Sequence, residues 1–221
     1  MIDESFFYIL KLLELEGPYL SVEERNLLMK TAKGKLSKLR NARKNLLDYE
    51  QIEGEINFYS IPKNFVDSEI SLLEESIKSF CCNIVEKIEK LEMNIKDDTV
   101  AEIFFKKLKA DYFRYYAEVC EGAEFNEFVE LARENYQNAY EKCLINLEPQ
   151  NPLTLSVALN YSVFLYFLMD ELIQACNISE KIYRQAVINL NTEEKNPEVD
   201  ALLKSIEENL TLWKIEAIDV N

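Results

Sequence analysis

The sequence predicts an all-α protein, and three observations lead to this prediction. Along most of the 221 residues, apolar side chains recur at the three- and four-residue steps of an amphipathic helix. Only four glycines and five prolines interrupt the chain, and most of them fall between these periodic runs. No run alternates with a period of two for long enough to indicate a sheet. We therefore expect about eight helices with short connections. The length suits a single domain over residues 1–221, or two small domains packed together.

The first two expected helices have clear boundary signals. A helix over residues 4–16 is stopped by the Gly-Pro pair at 17–18. Ser21 followed by Glu24 forms a capping box, in which each residue bonds the backbone N–H of the other. We expect a long helix to begin there and to continue to about Asp48.

The third expected helix follows a loop of mixed composition over residues 54–64. Asp67 is expected to cap it, because an aspartate carboxylate accepts the unpaired N–H groups at a helix start. Its apolar residues share one face: Ile70, Leu73, Ile77, Cys81, Ile84 and Ile88.

The second half of the chain contains the remaining five expected helices. Their expected ranges are Asp98–Glu121, Phe125–Leu147, Asn151–Met169, Asp170–Asn189 and Pro197–Trp213. Asn151 suits an N-cap, and Pro152 suits the first helical position, where its missing N–H costs nothing. The segment Leu153–Leu168 is apolar nearly all round, so its helix should lie inside the structure or line a cleft.

Composition excludes several classes of function. Forty acidic against 25 basic residues give a formal charge of −15, which disfavours general binding to nucleic acid or anionic lipid. The absence of histidine removes Ser-His and Cys-His catalysis and histidine metal ligands. We find no glycine-rich phosphate loop and no metal-ligand cluster. We therefore expect no enzymatic activity, no cofactor and no bound metal.

The cysteines and the first residues bear on the compartment. Five cysteines, an odd number without a C-x-x-C pair, are read as free thiols, four of them in apolar helical surroundings. That usage indicates a reducing cytosol or nucleus. The apolar stretch Phe6–Leu13 lacks a basic region before it, and charged residues follow closely. It is expected to be neither a secretory signal nor a membrane span.

Two basic clusters stand out against the acidic background. In the run 33–44, Lys33 and Arg40 are seven residues apart, with no acid between them, and lie about 20° out of register on one helix face. Lys44 continues that face. A solvated basic face that balances the acidic protein is the alternative to an anion site.

The second cluster, at 104–116, again places two bases, Lys107 and Arg114, seven residues apart. Asp111 lies between them, where it can orient both. Arg114 leaves the helix amid aromatic residues, where an arginine is usually paired. Its partner is either an acid within the protein, such as Asp111, or an anionic ligand.

Four stretches resemble the signature sequences of 14-3-3 proteins, in that family's order and at compatible spacing from about Glu23 to Trp213. They are Asn26-Leu27-Leu28, Asp111-Tyr112-Phe113-Arg114-Tyr115 with Ala117-Glu118-Val119, Leu159-Asn160-Tyr161-Ser162-Val163-Phe164, and Asn209-Leu210-Thr211-Leu212-Trp213. The resemblance implies an antiparallel helix array that forms an amphipathic groove for an extended peptide carrying phosphoserine or phosphothreonine. It also implies an adaptor that regulates phosphorylated client proteins by binding them.

Residue by residue, the resemblance assigns the phosphate to Lys33, Arg40, Arg114 and the hydroxyl of Tyr115. It assigns further peptide contacts to Lys107, Leu159, Asn160, Val163, Leu202, Asn209 and Trp213. The two asparagines and the tryptophan would bond the peptide main chain, for which amide and indole groups have suitable donors. For Leu159 and Val163, packing in the core is the alternative.

The sequence also departs from the family pattern. Of the apolar wall positions Ala201, Leu202 and Ser205, only Leu202 keeps the family's residue type, so sequence preference should differ. Phe167 stands where the family has a glutamate in the groove, so an acid that would help to read basic peptide residues is missing.

Dimerisation is the third departure. Matching Glu24 to the family leaves too few upstream residues for the first helix, which makes the family's two-fold dimer. The helix with Ile70, Leu73 and Ile77 lacks the charged residues used across that interface. We expect a homodimer, or a heterodimer with other 14-3-3 subunits, to be weakened, altered or absent. The family's acidic tail is nearly absent, with residues 214–221 alone after Trp213.

A tetratricopeptide-like scaffold that binds unphosphorylated acidic peptide termini is the second functional hypothesis. The segment Pro149–Val187 resembles one helix pair of that class, but no second copy follows at the 34-residue period. Dependence of binding on phosphate distinguishes the two hypotheses.

Overall fold

The computed structural model describes residues 21–53, 62–93, 95, 97–190 and 196–219. The regular structure in these ranges is helical throughout, which confirms the all-α prediction. We number its seven helices in chain order: α1 Val22–Glu53, α2 Lys63–Glu92, α3 Thr99–Ala117, α4 Gly122–Asn146, α5 Pro152–Phe167, α6 Leu172–Asn189 and α7 Pro197–Asp219. The helix expected over residues 4–16 lies outside the described residues. The chain divides into two compact units, Met1–Lys96 and Asp97–Asn221.

In the first unit, α1 begins with the expected capping box. The Ser21 N–H donates to Glu24 Oε2 at 2.7 Å, and the Glu24 N–H donates to Ser21 Oγ at 3.2 Å. The helix continues to Glu53, directly before Gly54 and beyond the expected end at Asp48. Its buried stripe steps by four residues through Leu28, Ala32 and Leu36.

Two side-chain contacts join α1 to α2. Both Nε and Nη2 of Arg43 lie 2.7 Å from Glu74 Oε1, and Lys35 Nζ lies 5.2 Å from the centroid of the Phe80 ring. As residue numbers rise along α1, those of their partners on α2 fall. The two helices therefore run antiparallel, as expected.

The prediction that Asp67 caps the third expected helix was wrong. The helix, α2, begins at Lys63, directly after Pro62, so Asp67 lies one turn inside it. Pro62 has φ −54° and ψ 129°, and its ring fixes the chain direction without a side-chain cap. Val66, which is 1% exposed, places the buried stripe one turn earlier than the residues first assigned to it.

In the second unit, α5 lies at the centre and contacts each of the helices α3, α4, α6 and α7. The Asn151 side chain accepts the N–H of Leu153 at 2.9 Å, with Pro152 at the first helical position, as expected. Asp98 caps α3 by accepting the Ala101 N–H at 2.9 Å. The apolar α5 therefore contributes to the core, although one of its faces stays partly open.

Several boundaries in this unit differ from the sequence prediction. Helix α3 ends at Ala117 rather than at Glu121, and α4 begins at Gly122 rather than at Phe125. Helix α6 begins at Leu172 rather than at Asp170. Asp170 has φ 55°, and a residue in the left-handed backbone conformation cannot be part of a right-handed helix. Helix α7 continues past Trp213 to Asp219, since no glycine or proline follows to stop it. No helix in the described part of the chain combines the length and the apolar character needed to cross a membrane.

Candidate functional site

The predicted phosphate-binding residues lie on two helices. On α1, Lys33 is exposed and Arg40 is half-buried. On α3, Arg114 is half-buried and Tyr115 is buried. Arg114 belongs to a hydrogen-bonded network within the second unit, and the Tyr115 ring lies beside its guanidinium. This network is the candidate site.

Asp111 is the centre of the network. Its carboxylate is buried, and Lys107 Nζ on the same helix lies 2.7 Å from its Oδ2. The Oδ1 atom accepts two further bonds, from the hydroxyl of Tyr136 on α4 and from Nδ2 of Asn160 on α5 at 2.8 Å. One carboxylate thus joins three helices. The prediction that Asp111 orients Lys107 agrees with this geometry.

The surroundings keep Asp111 ionised. Burial alone would raise its pKa, but the charges of Lys107 and Arg114, with the hydrogen bonds from Lys107 and Tyr136, hold its pKa below the ordinary value. The buried Lys107 ammonium therefore faces a full negative charge at neutral pH. The peptide contact assigned to Lys107 stays a prediction, because its side chain is only 5% exposed in this ion pair.

Arg114 is positioned by two hydrogen bonds and by a contact with an aromatic ring. Its Nε donates to the Tyr136 hydroxyl at 3.3 Å, and its Nη1 donates to Glu118 Oε1 at 3.0 Å. Its Cζ lies 4.3 Å from the centroid of the Tyr115 ring, a cation–π distance. The acid that pairs directly with Arg114 is therefore Glu118. These bonds use two of the five N–H donors of a guanidinium.

Burial and nearby charge act in opposite directions on Arg114. Burial alone would lower its pKa. The neighbouring Tyr136, Tyr115, Asp111 and Glu118 together raise the pKa by more than burial lowers it, so the pKa lies well above its ordinary value. Arg114 is thus a permanent cation with a fixed orientation, suited to an oxyanion.

Tyr136 is a site residue that sequence reasoning missed. It is fully buried on α4, and its hydroxyl links Asp111 to Arg114. Burial, followed by the negative charge of Asp111, raises its pKa well above the ordinary value, so the hydroxyl keeps its proton and donates a hydrogen bond to Asp111. The one signal that could have found it is helical periodicity, which places a tyrosine at this position on the apolar stripe of α4. Its partners lie 22 and 25 residues away, where helical spacing gives no signal.

The open face of α5 carries three of the predicted peptide-binding residues. Leu159, Asn160 and Val163 are each partly exposed, so the two apolar side chains are not fully enclosed in the core, and their peptide contacts stay a prediction. Asn160 uses one N–H of its amide for Asp111 and thereby connects this face to the network.

The predicted residues of α7 have different exposures. Leu202 and Asn209, seven residues apart on one face, are both partly exposed. Trp213 is buried, and its ring stacks on Tyr166 of α5 with centroids 4.9 Å apart. The peptide contact assigned to Trp213 stays a prediction. Within the described ranges, no group of three histidine, cysteine or acidic side chains is arranged to hold a metal ion.

Three known proteins that are similar to this chain bear the name of one family, and a family model matches it as well. The family model described as 14-3-3 protein matches residues 1–214. The chain is 29% identical over 204 residues to 14-3-3-like protein 2 of Caenorhabditis elegans, covering 91% of this chain and 81% of that protein. It is 35% identical over 153 residues to the 14-3-3 protein homolog of Encephalitozoon cuniculi, covering 67% and 59%. Against 14-3-3 protein beta/alpha-A of Xenopus laevis the identity is 28% over 203 residues, covering 90% and 82%.

The buried ion pair predicts a large effect of one substitution on stability. We expect Asp111→Ala to lower the free energy of unfolding by about 3–5 kcal/mol, because it leaves the Lys107 ammonium buried without a counter-charge. Urea denaturation followed by circular dichroism measures this. Glu86→Ala is the matched control, since Glu86 pairs with Lys90 at the same 2.7 Å and the same i,i+4 spacing on an exposed surface. It should change stability little. Equal small losses in both variants would contradict the central role of Asp111.

Proposed function

Because this chain belongs to the 14-3-3 family, we propose that it is an adaptor that binds phosphoserine or phosphothreonine segments of client proteins and regulates those proteins by binding them. The observation that carries the proposal is the fixed guanidinium of Arg114, which lies beside Tyr115 and is oriented by Tyr136 and Glu118. A phosphate with a charge of about −1.5 to −2 requires several such donors at once.

The charges of the network around Asp111 cancel. Lys107 and Arg114 supply two positive charges, and Asp111 and Glu118 supply two negative charges. This cluster is neutral as a whole, so it would attract a dianion only weakly. The additional charge is assigned to Lys33 and Arg40 of α1, as the family resemblance implies. That assignment rests on sequence matching.

The peptide main chain would lie along α5 and α7. Asn160 and Asn209 are partly exposed and have amide groups that both donate and accept. Leu159, Val163 and Leu202 are the proposed apolar contacts. Lys107 and Trp213 are also proposed peptide contacts. Both are buried in the second unit, beneath the exposed side chains of this surface.

The competing hypothesis of a tetratricopeptide-like scaffold is not favoured, because the family match covers residues 1–214 rather than one helix pair. The proposed role is that of an adaptor without enzymatic activity in the cytoplasm or nucleus. Proteins of this family bind clients and dimerise, and for this chain we propose a weakened or altered dimer.

Removing the fixed guanidinium tests the proposal directly. We expect Arg114→Ala to weaken binding of a phosphoserine peptide by about tenfold or more, since each charged hydrogen bond is worth roughly 1.5–3 kcal/mol. A phosphopeptide array selects the probe, and fluorescence anisotropy measures its affinity beside that of the unphosphorylated peptide. Arg114→Lys keeps the charge without the two-pronged geometry and should fall between Arg114→Ala and the parent chain.

The matched control is Arg184→Ala, because Arg184 also pairs with a glutamate four residues away in its helix but is exposed. It should bind as the parent chain does. Equal affinity of the parent chain for the peptide with and without phosphate would exclude phosphate recognition. Undiminished binding by Arg114→Ala would refute this pocket.

Tyr136→Phe tests whether the buried hydroxyl positions Arg114. The ring contacts with Tyr161 and Phe164, at 5.8 and 5.4 Å between centroids, should persist, whereas Arg114 loses an acceptor and Asp111 loses a donor. We expect phosphopeptide affinity to fall by about fivefold, the effect of losing roughly 1 kcal/mol. Affinity for the unphosphorylated peptide should not change.

Tyr140→Phe is the control for this substitution. Tyr140 lies one turn further along α4, is also buried, and has a hydroxyl without a hydrogen-bond partner among the described residues. Removing that hydroxyl should leave phosphopeptide affinity unchanged. If the two variants bind equally well, Tyr136 serves the core alone.

The pH dependence of binding should follow the protonation of the peptide's phosphate rather than that of a side chain of the protein. The chain has no histidine, the side chain that ordinarily titrates between pH 5 and 8. The lowered pKa of Asp111 means that its stabilising charge is present above the ordinary carboxyl pKa of about 3.9 and is lost only well below pH 5.5. Phosphoserine, with a second pKa of about 6, becomes mostly a monoanion at pH 5.5.

We therefore expect phosphopeptide affinity to fall by up to about fourfold between pH 7.5 and 5.5, while the thermal midpoint of the protein changes little. Calorimetric titration at both pH values measures the affinity. A pH-independent affinity, or the same loss for an unphosphorylated peptide, would show that binding does not depend on the phosphate dianion.

A further inference from the structure

We propose that Phe167 is a specificity-determining residue, which selects clients with an apolar side chain about three residues from the peptide residue that Asn160 binds. This inference rests on the proposed phosphopeptide function and adds a sequence preference to it. The position of Phe167 on α5, the contact of its ring with Tyr166 and its distance from Asn160 support this role.

Phe167 lies on the same face of α5 as the proposed peptide contacts. Asn160, Val163 and Phe167 are spaced three, four and seven residues apart, so they form one line along the helix. Asn160 and Val163 are partly exposed, and Phe167 is 70% exposed. The line therefore changes from an amide at one end to an open aromatic ring at the other.

The ring of Phe167 is held by an aromatic stack. It contacts the Tyr166 ring edge-on, with centroids 4.7 Å apart and an interplanar angle of 84°. Tyr166 in turn stacks on the buried Trp213 of α7 at 4.9 Å, and its hydroxyl donates to Glu216 Oε2 at 2.5 Å. The supporting rings are thus attached to a second helix. Because the Tyr166 ring is fixed in this way, the side of the Phe167 ring that faces it has a defined support, and a ring has few side-chain rotamers to lose on binding.

The distance along α5 sets the position of the selected side chain. Seven residues of α-helix span about 10 Å, and an extended peptide covers about 3.3–3.6 Å per residue. A peptide that bonds Asn160 through its main chain would therefore pass Phe167 about three residues later or earlier. A leucine or phenylalanine there would remove apolar surface of both partners from water.

A charged group at position 167 would reverse this preference. A carboxylate would attract lysine or arginine in the peptide, whereas the phenyl ring offers a cation only its weak attraction to an exposed aromatic face. Phe167→Glu should therefore change the chemistry that is selected without changing the phosphate contacts on α3.

A position-scanned phosphoserine peptide library tests the proposal, with four randomised positions on each side of the phosphoserine. For the parent chain, we expect leucine and phenylalanine to be preferred over lysine by roughly tenfold at one position. Phe167→Glu should prefer lysine and arginine at that same position, and Phe167→Leu should keep the apolar preference. Ile188→Glu is the control, because Ile188 is an exposed apolar residue, 82% accessible, at the far end of α6. It should keep the parent profile.

The outcomes separate this inference from the proposed function. Equal binding of the phosphorylated and unphosphorylated libraries would overturn the phosphopeptide function itself. Phosphate-dependent binding with the same sequence profile for the parent chain and Phe167→Glu would overturn the role of Phe167 alone. A uniform loss of affinity for all peptides in Phe167→Glu, with relative preferences unchanged, would also count against it. Circular dichroism of each variant confirms that the helices are retained.

Discussion

A buried carboxylate imposes the main constraint on the second unit. Asp111 sits inside a helical protein, where an ionised acid is stable only with enough donors around it. Lys107, Tyr136 and Asn160 supply them from three helices. Each partner is constrained by its bond to Asp111, so this one charge restricts how α3, α4 and α5 pack and, through Tyr136, how Arg114 is oriented. The same network that stabilises the unit also shapes its candidate site.

The balance of charges explains how an acidic protein can select one anion. With a formal charge of −15, the chain repels anions in general. In the network around Asp111, the charges of Lys107 and Arg114 are offset by those of Asp111 and Glu118, so these four residues carry no net charge. Arg114 contributes hydrogen-bond donors in a fixed orientation rather than excess charge, since Tyr136 and Glu118 fix the plane of its guanidinium. We expect such a site to favour a ligand with several oxygens in fixed geometry over a diffuse polyanion.

Local signals made much of the fold predictable, and distant contacts limited the rest. The capping pair Ser21 and Glu24 and the cap at Asn151 were found because both ends of each bond lie within a few residues. The pairing of Lys107 with Asp111 follows from the i,i+4 rule in the same way. Periodicity shows that Tyr136 is buried but not which residues its hydroxyl meets. The start of α2 was placed too late because the prediction overlooked Val66 and the proline that directs the chain into the helix.

The two ends of the open face of α5 differ in how freely they can change. Asn160 bonds an acid that two other side chains also need, so its replacement would disturb three helices. Phe167 has most of its surface in solvent and rests on Tyr166, and the stack of Tyr166 on Trp213 does not require a phenyl ring at position 167. A substitution there would cost little stability, because exposed positions tolerate change. If α5 contacts client peptides as proposed, sequence preference can shift at Phe167 while the phosphate contacts on α3 stay the same.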